Sequence, residues 1–267
     1  MTIRICVAGA TGWTGSAVVR GVLNSDAFTL TGTVAQATAG RDIGQVLGLG
    51  ENAGVVVSSS VAEALEVKTD VLVDYTTTAT VKDHVLYAIE RGIAVVVGTS
   101  GLTAQDYDDI EKAAESNGVG VVVGGNFSIT ATLMQRLALE TARNVPQFEV
   151  LDYAWAEKED VPSGTGRELA EKLGDVQQPK QVRSMDSLHG PIEARGATIN
   201  GVQVHSVRLP GYTLRCGAVF GLEGERLEIF HEAGPSAAPY VAGTLLAAKK
   251  AMQVKGLVRG LDALLFK

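Results

Sequence analysis

The sequence predicts an α/β Rossmann-like domain with a parallel sheet, joined to an α+β second domain with an open mixed or antiparallel sheet. Three observations carry this. Strand and helix patterns alternate through the first half of the 267-residue chain, and a glycine-rich turn follows the first apolar strand at once. Beyond about residue 127, strands follow one another through turn signals instead. The change of pattern places a domain boundary near residue 127.

Residues 3–8, 30–34, 71–74, 93–97 and 119–123 are short, almost wholly apolar runs, as parallel strands covered on both faces require. Helical patterns at 14–23, 81–91 and 104–116 fall between them. In the second half, 148–155, 197–208, 213–220 and 226–231 read as strands. Asn200-Gly201 is a hairpin dipeptide, and Gly221-Leu222-Glu223-Gly224 reads as a four-residue turn. Residues 239–254 return to a helical pattern rich in Ala and Leu.

Composition narrows the function classes. A net charge of −7 and no basic run argue against a nucleic-acid partner. The longest apolar runs are too short to span a bilayer, and residue 3 opens a strand rather than a signal peptide, so the expectation is a cytoplasmic protein. Cys6 and Cys216, the only cysteines, read as reduced buried thiols. His84, His189, His205 and His231 are scattered without metal-ligand spacing, so no metal site is expected. His205 and His231 read as structural residues in strands, and His84 as a solvent-facing helix residue.

Gly9-Ala10-Thr11-Gly12-Trp13-Thr14-Gly15 opens the first helix directly after the first strand. Gly9 permits the tight turn, Gly12 lets the backbone approach a pyrophosphate, and Gly15 allows close helix–strand packing. The second strand ends at Ala35-Gln36, where NAD-preferring sites place a carboxylate for the ribose 2′-OH. Its absence favours NADPH, with NADH the alternative. Arg41 either reaches the 2′-phosphate or is a surface residue; Trp13 either covers the loop or stacks on adenine.

A second motif lies at Ala154-Trp155-Ala156-Glu157-Lys158-Glu159-Asp160-Val161-Pro162-Ser163-Gly164-Thr165. Thr165 and Glu168 form a capping box that opens a helix to Gly174, with Leu169 and Leu173 stacked on one face. The free N–H groups of such a helix start suit a carboxylate or phosphate, and Lys158 lies close enough to serve the same ligand; a plain cap beside a surface lysine is the other reading.

Lys-x-Asp-x-Pro-Ser-Gly-Thr resembles the substrate-site motif of the dihydrodipicolinate reductases. That resemblance implies reduction of a cyclic imine carrying two carboxylates, on the route to lysine. It also assigns cofactor contacts and the interdomain hinge to Asp74-Tyr75-Thr76, Gly98-Thr99-Ser100-Gly101 and Gly125-Asn126-Phe127-Ser128, with Gly98 and Thr99 beside the nicotinamide and Asn126, Phe127 and Ser128 at the crossing between domains. Arg195-Gly196-Ala197-Thr198 and His205-Ser206-Val207-Arg208-Leu209-Pro210-Gly211 match too, so the resemblance covers nearly the whole chain. It implies a last helix packed on the first domain, so that 1–126 with 237–267 form a dinucleotide-binding domain around a substrate-binding and oligomerisation domain at 127–236, and a homotetramer or homodimer formed through the second sheet. The strands of that sheet themselves supply Val202, Val204, Val207, Leu214, Val219, Leu227 and Ile229 as an apolar surface to be covered.

This chain departs from the family at Trp13, where relatives often carry an Arg beside the cofactor, and most at the site motif. The usual His-His-x-His cluster, whose first histidine is the proposed proton donor, reads Ala154-Trp155-Ala156-Glu157 here. Lys158 is the candidate acid that remains, and Trp155, Ser163, Gly164 and Thr165 are the candidate substrate contacts. Glu157 opposes a dianion: a second carboxylate within ~5 Å costs about 1 to 3 kcal/mol at intermediate dielectric. Trp155 either offers an apolar face to a cation or turns into the sheet core. The sequence therefore points to an NADPH-dependent reductase of a less anionic cyclic imine or imino acid. An authentic lysine-pathway reductase and a silent nucleotide-binding regulator are the alternatives.

Overall fold

In a computed structural model that describes residues 2–266, the chain divides into two compact units, Met1–Ile129 with Ala237–Lys267, and Thr130–Ser236. Twelve strands and nine α-helices, β1–β12 and α1–α9 in chain order, are found among the described residues.

The first unit is built on a seven-stranded sheet in the order β12-β6-β5-β4-β1-β2-β3, every pair parallel. Its strands are β1 (Ile3–Ala8), β2 (Phe28–Val34), β3 (Val57–Ser58), β4 (Val71–Asp74), β5 (Ala94–Val97), β6 (Gly120–Val123) and β12 (Gly256–Arg259). Alternate residues of the central strands go to opposite faces. Val71, Val73, Val96 and Val122 join α1 (Trp13–Leu23) and α8 (Ala238–Ala251) in one core. Leu72, Val95, Val97 and Val121 join α4 (Val81–Glu90) and α5 (Ala104–Asn117) in the other. Burial on both faces explains why these strands are continuous apolar runs. The strand order reverses at β1 and β4, and ligands of open parallel sheets collect at the carboxyl ends beside such a reversal. Short helices α2 (Ile43–Val46), α3 (Val61–Ala64) and α9 (Asp262–Leu265) complete this unit. β3, β12 and these helices, each of four residues or fewer, were not read from the sequence.

The second unit carries a five-stranded mixed sheet in the order β11-β10-β7-β9-β8, with β7 (Phe148–Ala154), β8 (Ala197–Ile199), β9 (Val202–Arg208), β10 (Leu214–Leu222) and β11 (Glu225–Ala233). β7 runs parallel to β9 and antiparallel to β10. α6 (Ile129–Ala142) and α7 (Gly164–Val176) cover one face through Met134, Ala138, Leu169 and Leu173. α6 was missed in the sequence because its buried positions are mainly Ala and Thr, which leave a faint apolar stripe. Asn200 and Gly201 both take positive φ, as a tight hairpin requires. The other turn is shorter than expected: Gly221 and Leu222 still pair with Arg226 and Glu225, leaving only Glu223-Gly224 at the bend.

The register also corrects the apolar surface expected to meet another copy. Val202, Val204, Leu214, Leu227 and Ile229 share the face that carries the helices, in line with Phe148 and Val150. Only Val207 and Val219 of that set lie on the open face, with Leu151, Tyr153 and Phe230. There the Arg215 guanidinium stacks 5.1 Å from the Tyr153 ring and 4.0 Å from Phe230.

Gly174 gives a test of this packing. Replacing a helical glycine by alanine ordinarily stabilises by about 1 kcal/mol. At Gly174 a Cβ would overlap the Asn200 carbonyl, so Gly174→Ala is expected to destabilise by about 1 to 3 kcal/mol instead. Urea denaturation reads the sign, and a gain in stability would contradict the close approach of α7 to the hairpin.

Candidate active site

In the first unit, the loop after β1 forms because only glycine fits at its ends. Gly9 has φ 78°, and a Cβ there would overlap the Tyr75 carbonyl; one at Gly15 would overlap the Gly9 carbonyl. A Cβ at Gly12 would meet only Gly9 O, at 3.3 Å, so its outer side is open to a ligand. α1 begins at Trp13 with no side-chain cap, which leaves the amides of its first turn for an anion. Gly9 and Ala10 donate to Val34 O at 3.0 and 3.1 Å, anchoring the loop to β2, while Thr11 is exposed. A pyrophosphate fits this cradle.

A crevice of about 490 Å³ opens beside the loop, lined by Gly12, Trp13, Thr14, Tyr75 to Thr78, Gly98, Thr99 and Ser100. Thr78 closes its rim by donating to Ser100 O at 2.8 Å. Trp13 is 59% exposed and meets Tyr240 edge-on at 5.7 Å, so it stands out of the loop rather than covering it. Beneath lies Asp74, fully buried at the end of β4. Its carboxylate accepts from Thr76 N (2.9 Å), Thr76 Oγ1 (2.6 Å) and Thr99 Oγ1 (3.0 Å), and lies 2.8 Å from His84 Nδ1. His84 is therefore not the solvent-facing residue that its helix position suggests. The carboxylate that draws its ring inward comes from β4, outside the helix periodicity. Tyr75 bonds Thr244 at 2.7 Å, and burial pushes its phenol pKa up.

Ala35, Gln36, Asn126, Phe127 and Ser128 lie outside the lining of this crevice. At the end of β2, Gln36 and Arg41 are exposed, and the nearest following acid, Asp42, is spent on the amides of Gly44, Ala53 and Gly54. Those bonds hold its carboxyl below the ordinary range, the one from Ala53 foremost. Asn126 accepts from Ser128 N at 2.8 Å, and Phe127 is a core residue, 6.4 Å from the Tyr75 ring.

In the second unit, the motif segment is organised by Asp152, whose side chain is 1% exposed. Asp152 accepts from Ser163 N (2.9 Å), Ser163 Oγ (2.5 Å) and Arg208 Nη2 (2.8 Å), with Ser206 Oγ at 3.3 Å. Arg208 also donates to Asp160 O at 2.8 Å, so one guanidinium ties the loop to the sheet. Ser163 is buried, and its hydroxyl also accepts from Gly166 N at 3.2 Å. It is the N-cap of α7, two residues before the expected Thr165. The distant Asp152 fixes its oxygen toward the helix start; Glu168 pairs with Lys172 at 2.7 Å instead of closing a capping box. α7 likewise runs past Gly174 to Val176. Gly164 is exposed with open space around it, and Thr165 is half-buried.

Lys158 lies between two partners of this same loop. Its Nζ is 2.5 Å from Asp160 Oδ1 and 5.0 Å from the centre of the Trp155 ring. Asp160 is held below the ordinary carboxyl range by that contact first. Trp155 follows the end of β7 and is 39% exposed, so its ring is not in the sheet core. Ala154 is fully buried, and Glu157 is exposed.

Sequence reasoning missed His84 and Asp152 as site-organising residues, and placed Asp74 and Arg208 only within family-like segments; for Asp74, a carboxylate ending the apolar run of β4 was the available signal. His205 Nε2 bonds Glu149 at 2.7 Å on the open face of the sheet, beside the Arg195–Glu149 pair. His231 is half-buried, and burial lowers its pKa. Among the described residues no group of His, Cys, Asp and Glu is placed to hold a metal ion, and no helix is long and apolar enough to cross a membrane. A second cavity, about 650 Å³, is lined by Glu149, Leu151, Gln203, Val219 and residues 179–183, none of them from the Lys158–Thr165 motif.

Residues 3–127 match the family model for the N-terminus of dihydrodipicolinate reductase, and residues 130–265 match that for its C-terminus. A 4-hydroxy-tetrahydrodipicolinate reductase of Moorella thermoacetica is 36% identical over 265 residues, 99% of this chain and 98% of that protein. One from Desulfitobacterium hafniense is 34% identical over 97% of each chain. The dipicolinate-bound dihydrodipicolinate reductase of Paenisporosarcina sp. TG-14 superimposes with a TM-score of 0.85 at 29% identity, covering 98% of this chain and 99% of that one. An amine dehydrogenase of Mycobacterium smegmatis shares the fold, with a TM-score of 0.67 at 17% identity over 98% of this chain and 96% of that one.

Breaking a buried ion pair from one side leaves an uncompensated charge and costs about 3 to 5 kcal/mol. Arg208→Met is therefore expected to destabilise the protein by roughly 3 kcal/mol in denaturant titration. Arg208→Met combined with Asp152→Asn should recover part of that loss, and a double variant no better than the single one would remove the pair from the account.

Proposed function

The chain belongs to the dihydrodipicolinate reductase family and is an NAD(P)H-dependent oxidoreductase; on that premise we propose that it reduces the C=N bond of a cyclic imine or imino acid less anionic than a dicarboxylate, with NADPH as donor. The observation that carries this reading is the state of the one motif cation. Lys158 is already paired with Asp160 and lies over Trp155, and no imidazole precedes it. A dianionic substrate has to compete with Asp160 for that ammonium and meets Glu157 close by in sequence.

The dinucleotide, bound at the Gly9–Gly15 loop, supplies the hydride. The protein's share is orientation and charge. The start of α7 presents Gly164 and Thr165 to a single carboxylate, while Ser163, turned inward, holds that helix start in place. Lys158 either donates a proton to the substrate nitrogen or anchors its carboxylate, and the exposed part of the Trp155 ring supplies an apolar surface to the substrate ring. A cyclic imine basic enough to bind protonated needs no imidazole donor. Ala35 and Gln36 offer no carboxylate to repel a 2′-phosphate, and Asp42 is engaged elsewhere; both favour NADPH over NADH. The open sheet face, with Leu151, Tyr153, Val207, Val219 and Phe230, is the surface expected to join copies into a homodimer or homotetramer.

A second reading has its own support. Identity of 36% along the whole length of a 4-hydroxy-tetrahydrodipicolinate reductase favours the same reaction here, with a different proton donor.

NADPH oxidation measured with 4-hydroxy-tetrahydrodipicolinate beside a panel of uncharged and monocarboxylate cyclic imines separates the two. Faster turnover of the less charged imines is expected; speed on the dicarboxylate with no activity toward neutral imines would defeat the first reading. If Lys158 donates the proton, Lys158→Met lowers kcat by about 100-fold or more. If it anchors a carboxylate, KM rises for acids and neutral imines are spared. Binding titrations are expected to favour NADPH, and Ala35→Asp to shift preference toward NADH; a wild-type preference for NADH would contradict the cofactor assignment. Light scattering at micromolar concentration is expected to show an oligomer, and a monomer would refute the sheet-face contact.

A further inference from the structure

We propose that Asp74 and His84 are positioning residues that fix the hydrogen-bonding polarity of the crevice beside the glycine loop, so that it accepts from the carboxamide NH2 of a nicotinamide. This rests on reading that crevice as the dinucleotide site.

A hydroxyl has a single proton to give. Thr76 and Thr99 both line the crevice, and both give that proton to the same oxygen of Asp74, at 2.6 and 3.0 Å. Thr80 Oγ1 donates to Thr76 Oγ1 at 3.2 Å, taking up part of its remaining acceptor capacity. Thr99 thus has lone pairs and no proton to offer a ligand. A fully buried carboxylate needs donors on both oxygens, and the second oxygen of Asp74 has His84 Nδ1 at 2.8 Å. Beside a carboxylate that nitrogen carries the proton, which sets the tautomer of the ring. His84 therefore keeps Asp74 oriented with its first oxygen toward the two threonines. The chain of command runs from α4, through a buried acid, to the hydroxyl that meets the ligand.

An acceptor in the crevice matches an amide NH2 and gives nothing to a ketone. The 3-acetylpyridine analogue of the reduced dinucleotide keeps the carbonyl and replaces NH2 by a methyl group. The test is the ratio of dissociation constants for analogue and natural cofactor, read by fluorescence titration without turnover. Wild-type protein is expected to bind the analogue about 10-fold more weakly, as loss of one hydrogen bond implies. Thr99→Val removes the acceptor without touching the buried acid, and should bring the ratio to within about 2-fold of unity. His84→Ala should lower it, and His84→Asn, which restores a donor to Asp74, should raise it again.

Lys82 lies on the same helix, ion-paired to Asp106 at 2.9 Å and Asp109 at 2.6 Å. Lys82→Ala loosens α4 without reaching Asp74, and should leave the ratio at its wild-type value. Wild-type protein that binds natural cofactor and analogue equally would overturn the proposal, as would a wild-type ratio in Thr99→Val or in a folded His84→Ala. Failure of the wild type to bind either dinucleotide would instead overturn the cofactor assignment on which the proposal rests.

Discussion

The carboxylate of Asp152 is the constraint on which the second unit depends. It lies on the helix-facing side of β7, out of water, and its negative charge is tolerable there only because several donors converge on it. Each donor belongs to a different stretch of chain: Ser163 to the start of α7, Arg208 to the end of β9. Satisfying one acid therefore draws the sheet, the helix start and the motif loop to a common point. A buried pair of this kind adds little net stability compared with well-packed apolar residues. Its effect is to select one arrangement, because any other leaves a charge unpaired.

The first unit uses the same device. Asp74 ends β4 as a buried acceptor and gathers the loop after β4, the loop after β5 and helix α4 through Thr76, Thr99 and His84. In both units a strand delivers an acid to the edge of the core, and the following segments are ordered by the need to satisfy it. The surrounding sheet packing is generic, and many apolar residues would serve it. The acids are specific. The loops that line the candidate site are held by hydrogen bonds of fixed direction as well as by shape.

This division explains what was legible in the sequence. The glycine loop was readable because its cause is local: strand, turn and helix follow within a dozen residues, and Gly9 and Gly15 fail sterically as anything else. The parallel order followed from apolar runs separated by helices. The Asn200-Gly201 hairpin was readable for the same local reason. The cap of α7 was misread because Thr165 and Glu168 satisfy the local rule, while Ser163 wins through Asp152, eleven residues away. His84 was misread for the same cause. The apolar set assigned to the open sheet face mixed two faces, since alternation within a strand gives no sign of which side the helices cover. Pairing across strands settles that, and pairing is not written in any one strand.

The motif loop gains its shape from this framework. Asp152, Arg208, Ser163 and the backbone of Asp160 make the contacts that build it. In front of Lys158, Ala154 is buried and Trp155 and Glu157 face outward, so the residues that shape the loop and the residues it exposes are separate sets. An indole over an ammonium, with a carboxylate on its other side, stabilises the positive charge of Lys158 itself. The charge that this loop could offer a ligand is thus already shared within the loop, and an anion reaches it only in competition with Asp160.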